Sequence, residues 1–490
     1  MNELDRRRRL LVLAICCMSL LLVGLDTTIV NVALPAIHHA LHASVSGLQW
    51  TIDAYTLVLG SLLMLAGSTG DRVGRRRVFQ TGIVVFSVGS LLCGLAPSLG
   101  ALIAARVLQA IGGSMLNPVA MSIIRNVFEN PRERAQAIGV WGGVFGLSMA
   151  LGPVIGGALV DSVGWRAVFF VNVPIGLLGI ILTALYVPES RAPRPRRLDP
   201  VGQLLVIAAL ATVTYAIIDG PHAGWASAAT LGLFAFSLAC FATLVGYELH
   251  RDQPLLEVRF FRSAPFSGAS VIAIATFASM GGFLFLNTLY LQNVRGLSPL
   301  HAGLYMLPMA EMLLIFSPLS GRLVGRRGAR LPLVLAAGAM IVAALMLTRL
   351  EPATSTAYLL AAYFVFGIGL GLVNPPITNT AVSGMPPEQA GVAAAVASTS
   401  RQVGMTLGVA VIGAICGGSL AGAIGRSFAV ATHPGWWIIA GLGVLILALG
   451  LLTTGGWAER TARQTAEALR EHGRPPAYAR GRPAPASEGV

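Results

Sequence analysis

Along this 490-residue chain, long apolar stretches alternate with short polar segments rich in arginine, glycine and proline. A helix needs roughly 20 apolar residues to cross the hydrocarbon core of a bilayer. The pattern predicts spans at 11–34, 48–68, 78–97, 99–121, 136–158, 166–188, 201–219, 226–248, 267–291, 300–321, 331–349, 356–378, 392–416 and 434–456. That makes fourteen crossings, an all-α integral membrane protein. Residues 458–471 read as a short polar helix, and the Pro- and Arg-rich remainder of the 458–490 tail as disordered.

Composition agrees. Hydrophobic residues make up 55% of the chain, charged residues 11%, and mean hydropathy is +0.74. Soluble domains carry about 25% charged residues, so too little polar surface exists to coat a water-facing globule. The net charge of +13 does not point to nucleic acid, because it sits in short clusters between apolar runs. All 34 basic residues are arginines, which excludes a Walker A loop and Schiff-base catalysis, both of which need lysine. The chain reads as no enzyme of those types, and no cofactor is implied. Cys16, Cys17, Cys93, Cys240 and Cys416 lie in apolar runs without metal-ligand spacing. The first apolar run lacks a small-residue cleavage site and is expected to stay as a helix.

Arginine placement tests the count. With the N-terminus inside, only Arg166, Arg295, Arg349 and Arg426 fall on the outer side, and only Arg106 and Arg401 within spans. All others lie in the tails and inner loops. A missed helix would reverse the bias partway along, so both termini are expected in the cytoplasm of a cell whose cytoplasmic membrane the chain crosses.

The chain also repeats itself. Ala104-Ala105, Ile111-Gly112 and Asn117-Pro118 in the fourth span recur at one constant offset as Ala361-Ala362, Ile368-Gly369 and Asn374-Pro375 in the twelfth. A Pro-x-Glu-x-Ala turn follows each, at Pro131, Glu133 and Ala135 and again at Pro386, Glu388 and Ala390. Spans 1–6 (residues 1–190) and 9–14 (263–457) therefore read as two copies of a six-helix unit, with spans 7 and 8 (191–262) inserted between them. Paired six-helix halves with substrate between them near mid-membrane are how the major facilitator fold is built.

Several segments carry a more specific resemblance. The first span ends in LDTTIVNVALP (Leu25 to Pro35), and the following loop reads GSTGDRVGRRR (Gly67 to Arg77). RVLQAIGG (Arg106 to Gly113), GVFGLSMALGPVIGG (Gly143 to Gly157) and WRAVFFVNVPIG (Trp165 to Gly176) follow in order. Together they resemble the fourteen-helix drug:proton antiporter family of the major facilitator superfamily. The resemblance implies export of drugs or antibiotics driven by the proton-motive force, with Arg106 tuning a proton-carrying carboxylate. It also implies that the glycine-rich fifth span marks an exporter.

Individual residues carry a reading of their own. Asp26 and Asp53 lie within spans, where a carboxylate costs several kcal/mol unless paired, hydrated or protonated. A group balanced among those states suits a reversible proton carrier, and a structural carboxylate capping a neighbouring helix is the plainer alternative. Arg106, whose repeat counterpart is Tyr363, needs an anionic partner; Asp26 is the candidate, as a coupling pair or a static one. Gln109 and Asn117 line the substrate cavity or glue helices together. Glu311, following Pro308, is the acidic residue near the middle of a second-half span, suited to substrate contact or a second protonation. Asp219 and Glu248 read as solvated at membrane edges, and Arg401 as a snorkelling arginine at the start of its span. Gly146, Gly152, Pro153 and Gly156 suit a close but breakable contact between the halves or tight packing alone. Asp71 sits at a helix C-terminal end, where a carboxylate is unfavourable by itself; Arg72 and Arg75 compensate it in a latch on the inner side.

The expected function is proton-coupled export of small amphipathic organic compounds by a monomer in the bilayer, with no nucleic-acid partner. Proton-linked uptake is the rival, and the fifth-span motif weighs against it. A sensor built on a transporter body is a further rival without a signalling domain to support it. Members of the family it resembles that accept dications tend to carry extra acidic residues late in the chain; the thirteenth span has none, so the resemblance weighs against dicationic substrates.

Overall fold

A computed structural model describes residues 5–192, 198–251, 254–383, 385, 389–417 and 427–472. Fourteen helices in it are long and apolar enough to cross a membrane. They are α1 (Arg6–Leu41), α2 (Val45–Val73), α3 (Arg75–Leu95), α4 (Leu99–Val127), α5 (Arg132–Ser162), α6 (Ala167–Tyr186) and α7 (Pro200–Ala223). The rest are α8 (Ala228–Leu249), α9 (Ala264–Val294), α10 (Pro299–Arg327), α11 (Arg330–Leu347), α12 (Thr356–Val382), α13 (Gly391–Cys416) and α14 (Phe428–Leu452). The expected count holds. A final helix, α15 (Gly456–His472), follows. It docks against α9 through buried Ala458, Ala462 and Leu469, and Thr461 accepts a hydrogen bond from the Ala264 N–H at 3.0 Å. The tail beyond it, and Pro386 and Glu388 of the second repeat turn, lie outside the described residues.

An even number of crossings puts both ends of the chain on one face, here called the terminal face. Five of the seven helices starting on the opposite face share one device. Ser44, Ser98, Ser227, Ser298 and Ser355 each accept a hydrogen bond from the N–H three residues on, opening α2, α4, α8, α10 and α12. Such a cap contributes about 1 kcal/mol and satisfies a donor that lipid would leave bare.

Helices α1–α6 pack among themselves, as do α9–α14, while α7 leans on α2 and α13 and α8 packs against α7. Three seams join the two groups: α2 with α13, α5 with α10, and α1 with α9. The seams close near the opposite face. Gln49 donates to the carbonyls of Val409 (3.1 Å) and Ala410 (2.9 Å), and Thr56 meets Thr406 at 2.7 Å. Leu300 N–H donates to Asp161 at 3.0 Å, and Gln292 to the Val32 carbonyl at 2.8 Å. Toward the terminal face the α5–α10 seam parts. On the α5 stripe that faces α10, Gly146 still has Leu314 nearby, whereas Gly139, Gly142 and Gly143 have open space where a Cβ would stand. The α5–α10 side is therefore open toward the terminal face, while Gly391 of α13 stays close to Arg125 of α4.

Four helices are irregular: α6 breaks at Val171 and α14 at Thr432, each at a single residue. α10 breaks at Met306, with Pro308 in the first turn of its second segment, Leu307–Arg327. Proline fits there because the first-turn N–H has no helical partner to lose. α9 widens into a π-helical turn over Tyr290–Val294.

Candidate functional site

The centre of the first helix group holds a buried, charged cluster. Asp26 on α1 and Arg106 on α4 are both buried, 0% and 1% exposed, and pair at 2.5 Å through Nη1 and Oδ2. Gln109 follows Arg106 by one helical turn, so both side chains leave the same face of α4. It accepts from Arg106 Nη1 at 2.7 Å and donates to Asp26 Oδ1 at 2.8 Å. Asn172 on α6 donates to the same Oδ1 at 3.1 Å, and Ser90 on α3 receives both amides, at 3.1 and 3.0 Å. Arg106 Nε donates to the Thr51 carbonyl on α2 at 3.1 Å, and its guanidinium lies 4.1 Å from the Tyr55 ring centroid. Five helices thus meet on one ion pair. Bonds to both carboxylate oxygens offset the large cost of taking two charges out of water.

The second helix group keeps the position and drops the charge. Leu286-Asn287-Thr288 echoes Leu25-Asp26-Thr27, and Tyr363 is the counterpart of Arg106. The Tyr363 hydroxyl donates to Asn287 Oδ1 at 2.6 Å, and both are buried. Phe283, Phe366 and Trp436 pack around them, with Phe283 stacked on Phe366 at 4.2 Å. At this level the first group carries a carboxylate and the second a neutral amide.

Asp53 does not join the Asp26 cluster. It lies on α2 between Gln49 and Thr56, on the stripe that meets α13, and both carboxyl oxygens are buried without a hydrogen-bond partner. A bare buried carboxylate is costly, and this one sits on a seam that must separate if the helix groups move. Asn31, with a buried unpartnered Oδ1, lines a small crevice with Thr28, Thr288 and Met306 between α1, α5, α9 and α10.

The other expected residues are placed as follows. Gln109 is fully buried in the Asp26 network and does not line the cavity, because both ends of its amide are engaged there. Asn117 is half-buried on α4, with an unpartnered Oδ1. Glu311 is exposed on α10 just beyond the Met306 break. Glu248 is buried, not solvated: its carboxylate accepts from the Leu255 N–H at 2.9 Å as the chain folds back beneath α8. Asp71 pairs with Arg75 at 2.9 Å, one helical turn on, whereas Arg72 is exposed and takes no part in that pair.

The loop after α2 has a further partner. Ala192 N–H donates to the Asp71 carbonyl and Arg75 N–H to the Ser190 carbonyl, at 3.0 and 2.9 Å. Glu189 accepts from the Arg76 N–H at 3.1 Å and sits against Gly74, whose φ of 131° suits glycine alone. The segment after α6 therefore clamps this loop. Glu189 gives no signal in the sequence, since a lone glutamate beside a basic loop is ordinary.

The α5 glycines divide between two neighbours. Gly152 and Gly156 abut Thr28 and Ile29 of α1 in their own helix group, while Gly146 and Gly157 face α10. A Cβ at Gly152 would collide with Thr28 Oγ1. Gly152→Val is expected to destabilise the protein by about 1–3 kcal/mol, the usual cost of overpacking, with partial recovery in Gly152→Val/Thr28→Gly. Thermal unfolding of the purified variants measures both. A double variant no more stable than Gly152→Val would place the strain elsewhere.

Among known proteins, the family model of the Major Facilitator Superfamily matches residues 16–409. The chain belongs to that superfamily. It is 38% identical over 409 residues to the multidrug resistance protein Stp of Mycobacterium tuberculosis, covering 84% of this chain and 76% of that protein. It is 38% identical over 400 residues to the tetracenomycin C resistance and export protein of Streptomyces glaucescens, covering 81% and 74%. With the puromycin resistance protein pur8 of Streptomyces alboniger it shares 37% identity over 409 residues, 82% and 80% of the two chains. Among solved structures, a bacterial homolog of the human lysosomal transporter Spinster, inward-facing and unoccupied, superposes with a TM-score of 0.61. That match covers 97% of this chain and all of the other at 18% identity, which speaks to the fold alone.

Proposed function

We propose that this chain is a proton-driven exporter of small amphipathic organic compounds, antibiotics among them. In this reading it works as a monomer in the cytoplasmic membrane, with the terminal face in the cytoplasm. The names of its relatives, resistance and export proteins, support export. The observation that carries proton coupling is the asymmetry of the two helix groups: a buried Asp26–Arg106 pair in one, a neutral Asn287–Tyr363 bond in the other. A transporter that only shields substrate from lipid needs no buried charge. One that spends a proton gradient needs a carboxylate whose partners change as the cavity changes sides.

The geometry supports a rocking cycle. Residues 1–190 and 263–457 rock against each other, α7 moving with the seam it leans on and α8 with α7. When the terminal face is open, Asp26 is ionised and held by Arg106, Gln109 and Asn172. Opening to the outside exposes Asp53 as the α2–α13 seam parts, and a proton reaches it and then Asp26. Substrate leaves outward, protons leave inward, and the Asp71–Arg75 loop stiffens the inner side. Glu311 and Asn117 contact substrate in the open cavity. One proton falling through ~150 mV supplies about 3.5 kcal/mol, enough for roughly a 300-fold gradient of a neutral compound.

Cells making the chain are expected to hold less of a fluorescent exported dye than cells without it. An uncoupler should erase that difference within minutes. Lower dye content that survives the uncoupler would rule out proton drive, and higher content in the producing cells would mean uptake.

A further inference from the structure

Arg401 is the second arginine within a span, and its surroundings are unlike those of Arg106. It lies about ten residues into α13, ~15 Å along the helix, too deep to be the edge arginine its sequence position suggests. Its side chain turns sideways: Nη2 donates to Thr378 Oγ1 on α12 at 2.5 Å, and Nη1 to Ser398 Oγ at 3.4 Å. Nε is shielded from solvent and has no partner. The ion pairs among the described residues involve Arg9, Arg75, Arg77, Arg106, Arg251 and Arg259, not Arg401. A guanidinium at this depth without a counter-charge is expensive, and in membrane proteins such groups mark ligand or ion paths.

Its location is the second argument. Gln402, the next residue, meets Gly60 where the α2–α13 seam still holds, and Thr378 is exposed. Arg401 therefore stands just past the Gly60–Gln402 contact, beside the exposed Thr378. The free Nε edge of a guanidinium accepts a carboxylate side-on, through two parallel hydrogen bonds. Thr378 adds a hydroxyl that can turn from accepting to donating.

We propose that Arg401, with Thr378, binds an anionic group, a carboxylate or ionised phenol, on the exported compound. This rests on the export reading and deepens it: the exported compounds would be organic acids and phenols in preference to cations. The absence of any acidic residue on α13 agrees with that preference.

The test compares two xanthene dyes of opposite charge, fluorescein and rhodamine 6G, bound to purified protein in phosphatidylcholine nanodiscs. Binding is read by fluorescence polarisation, so the answer does not depend on whether the chain exports either dye. Arg401→Gln is expected to lower the ratio of fluorescein to rhodamine affinity roughly 10- to 100-fold, the worth of a charge-assisted bond. Arg401→Lys, which keeps the charge but loses the planar fork, should recover only part of it. Thr378→Val should lower the ratio severalfold, and it carries the test by itself if the arginine variants do not fold. An unchanged ratio in Arg401→Gln, or in Thr378→Val where that variant stands alone, overturns the proposal; so does a wild type that does not bind fluorescein. Displacement of fluorescein by phosphatidylglycerol, with no displacement by benzoate, would also overturn it, by assigning the site to a lipid headgroup. Failure of the uncoupler experiment with this ratio intact would instead count against proton drive alone.

Discussion

Asp26→Asn is expected to abolish uphill export altogether. In vesicles with an imposed pH gradient, the steady-state substrate ratio should fall from as much as roughly 300-fold to about one. Downhill exchange of substrate should persist, because the cavity and its seams are untouched. The physical reason lies in the network. Asp26 accepts from Gln109 and Asn172 on one oxygen and from Arg106 on the other. An asparagine oxygen replaces one of those acceptors, but its NH2 group cannot accept from the other set and carries no exchangeable charge. Substrate-induced proton release from the vesicles should vanish together with accumulation. Asp26→Glu, which restores a titrating carboxyl, should recover part of both. If Asp26→Asn still concentrates substrate at the wild-type rate, the coupling role passes to Asp53 or Glu311.

The second large effect concerns Arg106. Arg106→Ala removes one partner of a fully buried pair and leaves a carboxylate enclosed among Tyr55, Phe169 and two amides. Breaking such a pair from one side costs about 3–5 kcal/mol, a large part of a membrane protein's margin. The measurement is thermal unfolding in detergent or nanodiscs. A double-mutant cycle sharpens it: Asp26→Asn made in the Arg106→Ala background should cost much less than in the wild type, because the uncompensated charge is then gone. Additive losses would mean that the two side chains contribute independently, and the pair would not be the unit proposed here. Arg106→Lys should fall between, keeping the charge while losing the fork that also reaches Thr51 and Gln109.

Much of this molecule was legible in the chain because the bilayer is a simple solvent. Without water, every backbone group in a span must bond within its own helix, so a run of apolar residues specifies both helix and length. The fourteen spans follow from that, and the arginine bias adds an expected orientation. The Asp26–Arg106 pairing was legible for a related reason. A charge in lipid needs an opposite charge, and few candidates exist among the spans of the first half.

Neutral polar residues were a different matter. Gln109, Asn172, Ser90, Thr56 and Asn287 each satisfy themselves equally well against a neighbouring helix, a cavity or a water, so their type does not assign their role. Only the rotation of each helix about its axis decides it. That rotation placed Gln109 inside the charge network instead of the cavity and turned Asp53 onto the α2–α13 seam, away from Asp26. It also gave Gly152 and Gly156 to α1 while Gly157 faced α10. Arg401 shows the limit most plainly. Its position in the sequence suggested an edge where a long side chain reaches water, and only the packed structure put it ~15 Å along its helix, bonded to the hydroxyls of Thr378 and Ser398. Hydropathy reports how far a residue lies from water along the chain, whereas partners are set by which sides of the helices meet, and that information appears only once the helices are packed.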